Sequence, residues 1–249
     1  MHAPVSPPAT AALDRRMGLN LFLLATCQAV GQAGNTMMFA ATALSVATFY
    51  PLRDLATLPV TMQHLGVMLA VFPAALLMQR FGRRFGFRVG SLFGMAGAAT
   101  LATGLYYANF ILMCVGGLIL GYAVANLQMY RFAAVELVPP SYRAKAIGWV
   151  TAGGVVAGII GPTLARWTHD QLMPLYLATY LGMIGLHVIV FTVMSFIRFP
   201  KTLPQDPGGT PAAAAAASLP PRPLSQIATQ PRFLAAVVCG MCAFGTMSF

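Results

Sequence analysis

Long apolar stretches, separated by short polar links, limit this chain to few folds. Seven of them approach or exceed the roughly 20 residues that an α-helix needs to cross the hydrocarbon core of a bilayer. They cover residues 19–46, 58–79, 89–108, 111–137, 146–167, 174–198 and 233–249. Charged residues make up 8% of the chain, whereas a soluble domain holds about a quarter. The sequence therefore predicts an all-α protein that crosses a membrane several times.

Changes in composition predict how the chain is divided. Residues 1–18 form a polar tail, and residues 19–198 form a bundle of six helices. Residues 199–232 hold eight prolines and a run of six alanines, a composition typical of a linker that packs poorly. Residues 233–249 begin a seventh helix. Because the apolar run still continues at Phe249, we expect the sequence to be a fragment of a longer protein.

Basic residues predict the orientation, since cytoplasmic links of membrane proteins are enriched in Lys and Arg. One side receives Arg15, Arg16, Arg80, Arg83, Arg84, Arg88, Arg143, Lys145, Arg198, Lys201, Arg222 and Arg232, and the other receives Arg53 and Arg166. We therefore place the N-terminus and the linker in the cytoplasm. The net charge of +10 does not indicate nucleic-acid binding, because the cations lie between apolar stretches. Abundant Arg and Ala with sparse Lys favour a bacterial inner membrane.

Residue types that carry catalysis or bind metals show no convincing pattern. Cys239 and Cys242 form a C-x-x-C pair inside an apolar stretch, but no histidine or second pair lies near, so packing is the favoured interpretation. No nucleophile–base set or phosphate-binding loop is found. We expect neither an enzyme nor a protein with a bound cofactor or metal.

A short repeat relates the first and fourth apolar stretches. Residues 39–44 read FAATAL and residues 132–137 read FAAVEL, and Asn35 aligns with Gln128 in the same register. Membrane transport proteins are often built from such internal repeats. The match favours a bundle made of two three-helix halves.

A strip with four arginines follows the second apolar stretch. Residues 75–84 read ALLMQRFGRR, which resembles the G-x-x-x-D-R-x-G-R-R element of the major facilitator superfamily, the twelve-helix secondary transporters. The matching residues are Arg80, Gly82, Arg83 and Arg84, while Ala75 and Gln79 replace a glycine and an acid. In that family the acid helps to close the cytoplasmic side between two six-helix halves. The resemblance therefore implies a cytoplasmic gate in which Gln79 replaces the acid.

The link after the fourth stretch carries a second matching element. Glu136, Pro139 and Arg143 form E-x-x-P-x-x-x-R, which is similar to the family element whose acid pairs with the arginine strip. The resemblance implies an ion pair between Glu136 and that strip. A solvated charge at the membrane surface is the alternative.

A third element lies in the fifth stretch. Gly148, Gly161 and Pro162 match part of a pattern that resembles the antiporter branch, G-x8-G-x3-G-P-x-x-G-G. Ala157 replaces the middle glycine, and Ala165–Arg166 replaces the final pair. The resemblance implies a kink in helix five and favours antiport. Close packing through small residues at a proline kink is the alternative.

Polar residues in the first and fourth stretches form two stripes. The first holds Gln28, Gln32, Asn35 and Thr36, and the second holds Asn126, Gln128 and Arg131. Polar side chains in a bilayer are costly and usually face the bundle or a water-filled cavity. In the resembled fold these two helices line the central cavity, so the stripes are predicted to bind substrate. Hydrogen bonds that merely hold the helices together are the alternative.

Two further residues have two interpretations each. Arg131 can extend to the cytoplasmic interface or pair with an anionic group such as Glu136. The arginine that the family carries earlier in this helix is missing, because Gly117 stands there. His187 can titrate near neutral pH, but packing is favoured over a proton site.

These features together predict a secondary active transporter of a small organic solute, monomeric when full length and working by alternating access. Proton-coupled export of drugs or metabolites is favoured, since the polar stripes carry few fixed charges. An uptake symporter of the same fold is the near alternative. A non-transporting scaffold or receptor is the competing class, since Gln79 replaces the motif acid and no acid lies in the middle of any of the first six stretches.

Overall fold

The computed structural model describes residues 15–197, together with Phe199, Gln230 and Cys239. The predicted tail, linker and seventh helix lie almost entirely outside these residues. The described helices are α1 (Arg15–Ala47), α2 (Leu58–Phe81), α3 (Arg83–Tyr106), α4 (Phe110–Glu136), α5 (Arg143–Thr168) and α6 (Leu177–Phe196). Short 3-10 helices cover Arg53–Leu55 and Pro140–Tyr142.

Each of the first six apolar stretches forms one of these helices, and residues 15–197 contain no strand. Helices α2 to α6 are long and apolar enough to cross a membrane. Helix α1 is longer still, but Gln28, Gln32 and Asn35 make it more polar. The prediction of an all-α protein with several membrane spans is confirmed.

The arginine strip is helical, which corrects the prediction that it forms the link between the second and third helices. Helix α3 begins at Arg83, six residues before the predicted start at residue 89. Gly82 alone separates it from α2, with a φ of 89°, a conformation that favours glycine because it has no Cβ. Arg83, Arg84 and Arg88 therefore project from the first turns of α3. Hydropathy missed this turn because arginines at a membrane surface look like a loop.

Helix packing follows the pattern expected of two three-helix halves. Helix α4 packs against α2 and α3, and α1 packs in the same way against α5 and α6. If α1, α2 and α3 are exchanged for α4, α5 and α6 in that order, the same pairs of helices remain in contact. The repeated sequence agrees in part, since Phe39 and Phe132 are both exposed whereas Ala41 and Ala134 are both fully buried.

Glycines allow two of the helix pairs to approach backbone to backbone. A Cβ added at Gly121 of α4 would lie 2.5 Å from the carbonyl oxygen of Gln63 in α2. A Cβ at Gly117, one turn earlier, would overlap the carbonyl oxygen of Pro59. In α5, a Cβ at Gly153 would lie 2.7 Å from the carbonyl oxygen of Ala25 in α1. Small residues bring helices this close in membranes, where van der Waals contact replaces the hydrophobic effect as the driving force.

Two buried apolar clusters fill the bundle. The cluster near the arginine strip includes Phe87 and Tyr130, whose rings meet edge to face with centroids 4.7 Å apart. The cluster at the opposite end includes Tyr180, whose hydroxyl lies 2.8 Å from Ser45 Oγ and donates to Thr42 Oγ1 at 3.2 Å. This polar contact joins α1 to α6 without leaving the tyrosine hydroxyl unsatisfied.

Candidate transport cavity and arginine cluster

Arg83 and Glu136 form a two-pronged ion pair between the start of α3 and the end of α4. Arg83 Nε donates to Glu136 Oε2 at 3.0 Å, and Nη2 donates to Oε1 at 2.5 Å. Both side chains are about 30% exposed. Parallel hydrogen bonds between a guanidinium and a carboxylate fix geometry as well as charge. The implied pairing of Glu136 with the arginine strip is therefore present, and Glu136 is not a solvated surface charge.

The other arginines of the strip have different neighbours. Arg84 Nη2 donates to the carbonyl oxygen of Ser195, near the end of α6. Arg88 lies over the ring of Phe191, 4.7 Å from its centroid. These contacts join α3 to α6. They place arginine side chains near the C-terminal end of α6, where unpaired backbone carbonyls favour positive charge.

An open cleft of about 950 Å³ lies beside the ion pair. Gln79 and Gly82 line it together with Arg83 and Glu136. Gln79 and Arg80 are both exposed, and Arg80 lies 5.6 Å from the ring centroid of Phe81. The cleft thus gathers most residues of the first element at one end of the bundle.

The remaining residues of the second element shape the connection between α4 and α5. Pro139 is extended and begins the short 3-10 helix. Arg143 is the first residue of α5, and its buried Nε has no hydrogen-bond partner among the described residues. The Glu136 carboxylate is occupied by Arg83, so the structure does not bring Arg143 into the ion pair.

A smaller cavity of about 290 Å³ lies between α1, α4 and α5. Its polar lining consists of Gln28, Gln32, Gln128, Arg131 and Thr151. Four of these five side chains belong to the predicted stripes, and the structure brings them together from two helices. Three amides, one hydroxyl and one cation offer several donors and acceptors to a polar solute.

Two side chains in this cavity are poised for a ligand. Gln28 Oε1 is buried and accepts no hydrogen bond from the described residues. Arg131 is exposed, lies 5.2 Å from the ring centroid of Phe132, and has no acidic partner within residues 15–197. Gln28 lowers its free energy if a bound solute supplies the missing donor, because unpaired buried polar groups are costly. Arg131 offers the solute a cation that no acid within residues 15–197 neutralises.

Asn35 and Asn126 were predicted to line the same cavity, but neither does. Gln63 Nε2 of α2 donates to Asn35 Oδ1 at 2.7 Å, and both side chains are buried. Asn126 is buried against Gly90 of α3, and its Nδ2 donates to the carbonyl oxygen of Tyr122. On each helix, some polar side chains point toward neighbouring helices and not toward the cavity. The predicted stripes are therefore only partly in the cavity. Asn35 thus joins α1 to α2 through a hydrogen bond, whereas Asn126 bonds its own helix and packs against α3.

Helix α5 crosses α1 at its glycine–proline element. A Cβ at Gly161 would lie 2.7 Å from the carbonyl oxygen of Ala33, and the hydroxyl of Thr36 lies 3.2 Å from the carbonyl oxygen of Ala157. Pro162 lies inside the helix, where its ring removes one backbone hydrogen bond. Gly148 is exposed and a Cβ there would meet open space, so packing explains Gly161 and not Gly148.

Sequence reasoning missed some residues that complete this region. Gln63 is polar inside an otherwise apolar helix, a signal that would have identified it as a partner. Thr151 resembles any membrane-helix threonine, so only the structure places it in the cavity. His187 is buried against Gly94 of α3, as packing predicts. Gly117 shows why the family's arginine is absent, since the carbonyl of Pro59 leaves no room for a side chain.

Similar proteins place these features in context. The chain is 33% identical over 231 residues to a riboflavin transporter of Brucella anthropi, covering 92% of this chain and 56% of that protein. It is 24% identical over 194 residues to an uncharacterized MFS-type transporter of Bacillus subtilis, YdeG, covering 78% and 44%. The chain thus spans about half the length of the curated relatives it matches.

The fold has a counterpart among solved structures. The fucose:proton symporter FucP of E. coli superposes with a TM-score of 0.67, covering 92% of this chain and 60% of that one. The two sequences are 18% identical, so the likeness concerns the fold. A family model matches residues 21–249, nearly the whole chain. The protein belongs to the Major Facilitator Superfamily.

Proposed function

We propose that this chain supplies one six-helix half of a secondary active transporter for a small, uncharged organic solute. The cavity between α1, α4 and α5 carries this proposal, because Gln28 Oε1 and Arg131 are unpaired there among the described residues. Alternating access would come from rocking of two bundles about a site near the middle of the membrane. Polar side chains with a single fixed charge suit a solute that binds through hydrogen bonds.

The substrate class follows from the site and one relative together. The Brucella anthropi relative is named as a riboflavin transporter. Riboflavin is uncharged and combines a ring edge of alternating donors and acceptors with a chain of hydroxyls. Three glutamine amides and Thr151 match such groups, since an amide both donates and accepts. We propose riboflavin or a solute of similar size and polarity.

Direction and coupling form the finer part of the proposal. Export driven by proton influx is supported by Gly148, Gly161 and Pro162, which match part of the antiporter pattern. The acids within residues 15–197 are Asp54, Glu136 and Asp170, all at or beyond helix ends. A proton-coupling acid would therefore lie elsewhere in the protein. Uptake by symport is the second candidate, and a scaffold without transport is the third.

The expected test is riboflavin flux in cells that express the protein from its native gene. Gln32→Ala removes an amide from the cavity and should raise KM about five- to tenfold, the worth of one hydrogen bond. Thr192→Ala is the control, because Thr192 is exposed on α6 and bonds only its own helix. Labelled riboflavin inside the cells should fall under export and rise under uptake, and a protonophore should abolish either change.

Three results would contradict parts of this proposal. Equal flux in wild type and Gln32→Ala would exclude the cavity as the substrate site. Flux that a protonophore does not change would exclude proton coupling. Absence of any riboflavin flux, with unaltered recovery of a protein partner, would favour the scaffold interpretation.

Orientation is proposed with the N-terminus in the cytoplasm of a bacterial inner membrane, and labelling of single cysteines tests it. In a background without native cysteines, Asp170→Cys should react with a membrane-impermeant maleimide in intact cells. Arg80→Cys, at the opposite end of the bundle, should react only after the membrane is opened. Both native side chains are exposed, so access to the reagent depends on the side of the membrane. The reverse labelling would invert the topology.

A further inference from the structure

A second cleft opens at the end of the bundle opposite the arginine strip. Its volume is about 710 Å³, and it lies between the last turns of α1, the end of α5 and the link to α6. Its polar and aromatic lining consists of Thr163, Arg166, Trp167, His169 and Tyr176. None of these residues belongs to the cavity of the proposed transport site.

The cleft combines a cation with aromatic surfaces. Trp167 is 71% exposed and Arg166 is exposed beside it. The rings of His169 and Tyr176 lie with their centroids 6.0 Å apart and their planes tilted by 47°. Planar aromatic molecules stack on such side chains, and a guanidinium donates hydrogen bonds to carbonyl oxygens or anionic groups.

The link after α5 holds these rings in a defined position. Tyr176 has a φ of 72°, which a bulky residue rarely adopts and which is concentrated at functional sites. Its N–H donates to the carbonyl oxygen of His169 at 2.7 Å. His169 Nδ1 in turn lies 2.7 Å from the carbonyl oxygen of Arg166. The link is thus folded back onto the helix end.

The cleft shares one face of the bundle with the transport cavity. Gln32 of the cavity and Leu44 of the cleft both lie on α1, about 18 Å apart along the axis at 1.5 Å per residue. Between them, α5 touches α1 through Gly161 and Thr36. The cleft and the transport cavity are therefore separate places along the α1–α5 contact.

We propose that this cleft is an outer binding site for planar aromatic solutes that carry carbonyl or anionic groups on one edge. It rests on the proposed transport function, because it would receive such a solute before entry or after release. Trp167 and Tyr176 supply stacking surfaces, and Arg166 binds the polar edge. Arg166 occupies a position where the antiporter pattern has glycine, so that pattern does not account for the charge.

A matched pair of tryptophans makes the proposal testable. Trp149 is 67% exposed near the other end of α5 and does not line the cleft, so Trp149→Leu controls for loss of a membrane anchor. Riboflavin is the probe, and its binding to the purified protein in lipid nanodiscs is followed by fluorescence quenching. The measurements use the Gln32→Ala background, in which the transport cavity is weakened. We expect Trp167→Leu to raise the remaining Kd about tenfold, the range measured for stacking of a planar base, and Trp149→Leu to leave it unchanged.

Four other outcomes would overturn the outer site. If Gln32→Ala alone abolishes binding, riboflavin binds in the transport cavity. If Trp167→Leu and Trp149→Leu change the Kd equally, Trp167 acts only as a membrane anchor. Displacement by ribitol, which has the hydroxyl chain of riboflavin without its ring, would exclude stacking, and no binding to wild type would exclude this class of solute. Binding that depends on Trp167 in a protein without riboflavin flux would keep the outer site and refute the proposed transport.

Discussion

Gly121→Val is expected to abolish accumulation of folded protein in the membrane. A Cβ at Gly121 would meet the backbone of α2 at Gln63 and Gly66, at 2.5 and 2.6 Å. Backbone cannot move aside as a flexible side chain can, so α2 and α4 would have to separate along their whole contact. The free energy of unfolding should fall by about 4 kcal/mol or more, an effect that few single substitutions reach. The measurement is the amount of monodisperse protein recovered in mild detergent by size-exclusion chromatography.

Gly185→Val is the matched control for that substitution. Gly185 lies in α6, where it is exposed and a Cβ would meet no atom within 4 Å. Gly185→Val introduces the same β-branched side chain into a membrane helix and tests whether any loss of glycine from such a helix is harmful. Recovery of Gly185→Val should match wild type. Normal recovery of Gly121→Val would show that the α2–α4 contact is looser than the structure indicates.

Reversing the charges of Arg83 and Glu136 should produce the second large effect. Arg83→Glu or Glu136→Arg alone places like charges where two hydrogen bonds now lie, and each should lower the melting temperature and reduce transport severalfold. The double variant restores opposite charges and should recover part of both losses. The coupling should be about 1–2 kcal/mol, since the pair is bidentate and only about 30% exposed.

Arg80→Ala controls for general loss of positive charge in the arginine strip. Arg80 is exposed, contacts the ring of Phe81, and forms no ion pair within residues 15–197. Its removal should leave the melting temperature nearly unchanged, as for most surface substitutions. Independent effects of the two charge reversals, with no recovery in the double variant, would show that the ion pair does not stabilise the bundle.

Helix existence was predictable because hydropathy alone decides which segments can cross a bilayer. All six described helices fall on predicted stretches, and the largest error in their limits lies at α3. There the sequence signal is ambiguous, since charged residues at a membrane surface suit a helix end and a loop equally. The single glycine at 82 with positive φ decides the matter, and φ cannot be read from hydropathy.

The candidate site was predictable only in part. Helical spacing placed Gln28, Gln32, Gln128 and Arg131 on two faces, and these faces do meet. The same spacing placed Asn35 with them, and Asn126 was predicted to join them as a polar residue of the fourth helix, yet both pack inside the bundle against other helices. Polar periodicity identifies which residues avoid lipid, but it does not distinguish a cavity from a neighbouring helix. That distinction depends on which helices pack together, and these contacts join residues distant in sequence.

The connection at Gly82 has a consequence for how this protein can change in length. Because one residue joins α2 to α3, any insertion there would shift the phase of α3 and carry Arg83 away from Glu136. The link at residues 48–57 is longer and bears no such constraint. Length variation among descendants of this protein should therefore accumulate at that link. An epitope or fluorescent reporter would be tolerated at residues 48–57, whereas at Gly82 it would uncouple two halves of a helical hairpin.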